Sequence, residues 1–104
     1  MNAGKTAPVL FRFSAAIIHW RGPSPFFFVP IPADRSEELR LIAKAVSYGW
    51  GVVPVAVEIA GVAFTTSLFP KDGGYLLPLK LAVRRALNLT ASDEVTVAMT
   101  IGSG

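Results

Sequence analysis

His19 is the single imidazole of the 104-residue chain, and that scarcity bounds the chemistry the sequence can support. With no cysteine there is no thiolate nucleophile and no sulfur ligand for a metal. A Ser–His–Asp arrangement would have to use His19, yet the chain holds no Gly-x-Ser-x-Gly elbow. Beside Trp20 at the end of an apolar run, His19 reads as a packed or rim residue. Carboxylates cluster only as Glu37-Glu38 and Asp93-Glu94, at a helix start and ahead of a strand, so no metal site is expected. Gly4-Lys5-Thr6 imitates the end of a phosphate loop but lacks its first glycine and a preceding strand. No catalytic residue and no cofactor is called for.

Binding is better supplied. Glu58 interrupts an otherwise apolar strand; its place in the alternation is the solvated face, and a cleft there would make it a ligand contact. Thr66, in the trio Thr65-Thr66-Ser67, offers a hydroxyl on a strand. Trp20, Trp50 and Tyr75 are large enough to stack on a planar ligand, although packing is the commoner duty of such rings. These five residues, Trp20, Trp50, Glu58, Thr66 and Tyr75, form the candidate ligand set. A second set is basic. Lys80 and Arg84 are four apart and share one helical face, Arg85 is adjacent, and Arg21 and Lys71 fall in turns that look equivalent. Together they could neutralise phosphates of a nucleic acid, or simply form a solvated basic face.

The elements that must position these residues are mostly strands. Phe11, Phe13, Ala15 and Ile17 alternate with small or polar residues from Val9 to Trp20. Arg21 to Pro25 is a turn cluster, and Phe26 to Ile31 a very apolar strand. Asp34 and Glu37 have capping-box spacing at the start of a helix whose stripe is Leu39, Ile42, Ala43 and Val46. Strands are predicted over Val53 to Ile59, Val62 to Phe69, Tyr75 to Leu79 and Glu94 to Ile101, with a short helix over Lys80 to Leu89. The glycines at 61, 73 and 74 suit tight hairpins.

The chain reads as two copies of one strand–strand–helix–strand unit, over 10–60 and 61–101, in a single domain of 9–101 between tails at 1–8 and 102–104. Phe13 to Ile18 superposes on Phe64 to Phe69, Phe27 to Ile31 on Tyr75 to Leu79, and Val55, Val57 and Ile59 on Val95, Val97 and Met99. Three blocks in the same order point to an internal duplication.

Tyr75 to Pro78, the short basic helix, and Leu87 to Val95 resemble the strand–helix–strand half of AbrB, MazE and MraZ-type proteins, whose half-barrels interlock into a DNA-binding barrel. From about Phe11 to Ile101 the chain is closer to the uncharacterised DUF1905-type domain family, on Pro54-Val55 through Gly61, Phe64 to Leu68, Gly74-Tyr75, Pro78-Leu79, Arg84 with Leu87, and Asp93 with Val95. The resemblance implies a double-split β-barrel capped by a helix from each half. Ser92 departs from the pattern, where glycine is usual. Asn88 departs too, but asparagine tolerates the left-handed backbone a helix end needs.

Hydrophobic residues make up 52% of the chain before its nine glycines are counted, above the ~45–50% typical with glycine included. A small barrel cannot bury that excess, so an apolar surface patch is expected, with self-association as one outlet. The net charge of +3 permits an acidic partner without demanding one. No secretory leader or membrane span is read in the sequence, which makes the cytoplasm the default and a membrane an unexpected partner. The resulting expectation is a non-catalytic binding module for a protein or small molecule. A nucleic-acid-binding protein is the alternative, and an enzyme with a cleft around Glu58 or His19 comes third.

Overall fold

The structure is a computed structural model that describes residues 9–20, 26–46 and 53–101. Its elements run β1 (Val9–Ala16), β2 (Ile18–Trp20), β3 (Phe26–Pro30), α1 (Ala33–Val46), β4 (Val53–Ile59), β5 (Val62–Lys71), β6 (Gly74–Leu79), α2 (Leu81–Leu87) and β7 (Glu94–Ile101). The chain is mainly β with two helices, as the alternation requires. All pairings are antiparallel, in the order β1-β7-β4-β5-β6-β3-β2. The two edges of this sheet, β1 and β2, are separated by Ile17 alone. The sheet therefore curls until its edges meet on one stretch of chain, giving a barrel-like shape.

Two strands make the corners. β5 pairs with β4 through Val62–Leu68 and then with β6 through Phe69–Lys71. The β1–β2 stretch does the same, with β7 first and β3 second. One continuous strand was expected from Val9 to Trp20. The interruption at Ile17 is the corner, and its backbone stays satisfied: its N–H donates to the Asp93 carbonyl (2.8 Å) and its carbonyl accepts from the Ser92 N–H (2.9 Å).

The registers carry a pseudo-twofold relation. Ala16 pairs with Glu94, and its equivalent Ser67 pairs with Pro54, the equivalent of Glu94. Ile18 pairs with Phe28 as Phe69 pairs with Leu76. On one wall the relation centres on the pair Glu58–Ala98, on the other on Val29–Leu77. It equates Lys71 with Trp20, not with Arg21, because Trp20 faces Phe26 as Lys71 faces Gly74.

Period-two alternation fills the interior. Val53, Val55, Val57 and Ile59 of β4 and Val95, Val97, Met99 and Ile101 of β7 are all buried, as are Val29 and Leu77. Leu39 of α1 and Val83 of α2 join them. Helix α1 begins at Ala33, one residue ahead of the expected start, so Asp34 lies within the first turn instead of capping it. The Pro32 carbonyl accepts from the Ser36 N–H (2.9 Å). Helix α2 is shorter than expected, ending at Leu87 on a left-handed Asn88 (φ 54°), which is the role read for that asparagine. It packs on the core through Val83, with Leu87 half-buried, while Ala82 and Ala86 are exposed. The two-residue turns Ala60-Gly61 and Asp72-Gly73 all have positive φ, the geometry that matches hairpin twist.

Candidate functional site: an apolar outer wall

Side chains that alternate away from the core on the β2–β3–β6–β5 wall ought to be polar. They are not. Trp20 faces Phe26 and Ile18 faces Phe28 across β2–β3, while Leu76 lies beside Pro30 on one side and Phe69 on the other. Trp20, Phe26 and Phe69 keep 48%, 53% and 46% of their surface in water, and Ile18 is exposed too. The Phe26 and Phe28 rings meet with centroids 6.1 Å apart. Such neighbouring exposed aromatics are where surface patches become interaction sites.

Two depressions shape this wall. One, of about 460 Å³, is lined by Trp20, Phe26, Phe28, Phe69, Pro70, Lys71 and Leu76. The other, of about 500 Å³, reaches from Trp20, Lys71 and Leu76 to the start of α1, where Glu37 and Arg40 edge it. Both volumes lie in the range of ligand sites. Among the described residues Lys71 is the one charged side chain lining the first depression, its Nζ 5.0 Å from the Trp20 ring centroid. Asp72 Oδ2 is 4.0 Å from that ammonium, but both side chains are well exposed and the pair contributes little. Arg40 fixes the far rim by donating to the Gly73 carbonyl.

The wall gathers Trp20 and Lys71, which came from different sequence-derived sets; Tyr75 edges the second depression, and the other described candidates lie apart. Glu58 is exposed on β4, paired with Ala63 of β5 and Ala98 of β7 and away from the Phe69–Lys71 stretch by which β5 joins the wall, so it does not come together with Trp20. Thr66 is half-buried on the inner row of β5. Tyr75 is buried in the core, and its backbone carbonyl accepts from the Ile31 N–H (3.0 Å). Trp50 and Arg21 lie outside the described residues. Sequence reasoning missed Ile18, Phe26, Phe28, Phe69 and Leu76. Their signal was the unbroken Phe26-Phe27-Phe28 run, which makes both faces of β3 apolar.

Lys80 is the extended residue that caps α2, not a helical one, and is exposed like Arg85 of the helix, whereas Arg84 is half-buried and does not share a solvated face with them. Its guanidinium carbon sits 3.7 Å from the Phe27 ring centroid, and its Nε is buried without a hydrogen-bond partner among the described residues. The ring contact is worth about 0.5–2 kcal/mol, against about 1–3 kcal/mol for an unsatisfied buried donor. His19 stacks on the same ring, centroids 4.4 Å apart and planes 9° from parallel. Among the described residues no three of His, Asp or Glu come together as a metal site, and no helix is long and apolar enough to cross a membrane.

A mainly β, barrel-like domain with two helices, its conspicuous surface an apolar wall, is the class that fold and site define. Residues 13–99 match the model of the domain of unknown function DUF1905, and the chain belongs to that family. No curated protein matches the chain.

Proposed function

We propose that this domain is a non-catalytic binding module that takes an apolar partner, protein side chains or a small molecule, on the outer wall of β2, β3, β6 and β5. The observation that carries the reading is the row of exposed rings at Trp20, Phe26 and Phe69 around a depression of about 460 Å³. The core is complete without these outward side chains, so they do not serve the barrel's interior. Leaving large apolar surface in water has no benefit to the isolated chain, and covering it releases about 25 cal/mol per Å². The polar components of the wall are few and sit at its rim, which suits orientation of a partner.

Nile red, a neutral dye that brightens on apolar surfaces, tests the reading without an electrostatic contribution. The folded protein is expected to bind it saturably, and the double variant Phe26→Thr, Phe69→Thr to lose at least tenfold in affinity with an unchanged circular dichroism spectrum. Equal binding by the double variant would refute it.

A further inference from the structure

We propose that the outer wall takes a free small molecule of one chemical class, an apolar body carrying a single carboxylate whose charge is paired with Lys71. The inference rests on the binding role given to the wall above and adds the charge of what is bound.

Lys71 is a wall position by register. It faces Gly74 two residues beyond the Phe69–Leu76 pair, so its side chain leaves β5 on the same outward face as Phe69. The ammonium does not run straight into water. The side chain is 45% exposed, and Nζ lies 5.0 Å from the Trp20 ring centroid, over the wall. An ammonium has three N–H donors, and none of the side-chain hydrogen bonds among the described residues is made by Lys71. The ring attracts the charge without giving those donors a strong acceptor. Asp72 Oδ2, at 4.0 Å, is beyond hydrogen-bond distance, and its side chain stands in water.

Charge complementarity sets the sign of the ligand. The other described residues lining the first depression are rings, prolines and a leucine, none of them charged. An organic cation would meet the ammonium there and no carboxylate. A neutral apolar ligand would strip water from the ammonium and return no acceptor. A carboxylate returns one, in a charge-assisted contact. The second depression does not compete for that group: Lys71 and Arg40 are balanced there by Glu37 and Asp72, and Arg40 already donates to the Gly73 carbonyl. Trp20, Lys71 and Leu76 line both depressions, so Lys71 stands at their junction. The body then lies on the rings of the first and the carboxylate at the junction. A bed of about 460 Å³ with one cation is the scale of a small-molecule site.

The test is a pair of probes of matched shape, naphthalene-1-acetate and its neutral amide. Each is titrated at neutral pH and low ionic strength into the ¹⁵N-labelled protein and read at the Trp20 indole N–H. The carboxylate is expected to bind about threefold or more tighter than the amide, the order of one charge-assisted contact at a half-exposed site. Added salt is expected to weaken the carboxylate and not the amide. Lys71→Met, which keeps a long apolar stem, is expected to remove the preference, and Asp72→Asn, which takes away the neighbouring carboxylate, to increase it. Lys80→Met, at a cation lining neither depression, is expected to leave it as it is. Equal affinities for the two probes, a preference that survives Lys71→Met, or one lost equally in Lys80→Met would overturn the proposal. Nile red keeps the two readings apart. Dye binding without a carboxylate preference overturns the charge and leaves the wall, whereas absence of dye binding removes the wall and the charge with it.

Discussion

If the outer wall is kept for a partner, its side chains contribute little to stability compared with those directly behind them on the same strands. Leu77 and Phe26 make the comparison. Leu77 is fully buried at the centre of the β3–β6 wall, paired with Val29. Leu77→Ala removes its transfer energy and leaves a cavity in a packed interior, a loss of about 3–5 kcal/mol. Phe26 keeps 53% of its surface in water, so roughly half of a full phenylalanine burial is at stake. Phe26→Thr, which preserves strand propensity, then costs about 1 kcal/mol. With a urea dependence of about 1–3 kcal/mol per molar, Leu77→Ala lowers the denaturation midpoint by roughly 1–5 M, and Phe26→Thr by about 0.3–1 M. Equilibrium urea unfolding followed by circular dichroism reads both. A Phe26→Thr loss equal to that of Leu77→Ala would show that the wall is structural and remove the argument for a partner.

Ser92 holds φ at 76°, a conformation that costs a side chain about 1–2 kcal/mol. Ser92→Gly is therefore expected to raise stability by up to about 1 kcal/mol, the larger chain entropy of glycine offsetting part of the gain, measured as a higher urea midpoint. Asn88 accepts its left-handed φ more readily than alanine would, so Asn88→Ala is expected to destabilise by about 1 kcal/mol in the same assay. Labelled duplex DNA titrated at two salt concentrations is expected to show no steep salt dependence. Of the described basic candidates, Lys80 caps the start of α2 and Arg85 lies on it, Arg84 covers Phe27, and Lys71 belongs to the apolar wall. A log–log slope of about −0.9 per phosphate contacted over several phosphates would contradict that expectation.

Much of the fold was legible because its signals are local. Alternation marked the inward rows of β4 and β7, and the three sequence blocks that matched between halves correspond in the pairing registers as well. Asn88 announced one positive-φ site, whereas Ser92 was legible only as a departure from glycine and the structure supplies its positive φ. The corner at Ile17 was not legible, since Phe11 to Ile17 keep their phase through it and only the change of partner strand reveals it. The apolar wall was legible as an excess but not as a place. A run such as Phe26-Phe27-Phe28 has no period, and whether its outer rings are covered depends on what the rest of the chain packs there. Arg84 misled the sequence reading for a related reason: helical spacing gives a residue's angular position, but not the ring a distant strand sets beneath it.

The central claim is that the wall of β2, β3, β6 and β5 takes up an apolar partner. Its most direct test is a titration of the ¹⁵N-labelled protein with indole, a neutral aromatic probe, mapped residue by residue. Saturable shifts confined to the Trp20 indole N–H and the backbone amides of residues 18–20, 26–28, 69, 71 and 76 are predicted. No saturable shift, or shifts centred on α2 or on the β4–β7 pair, would contradict it.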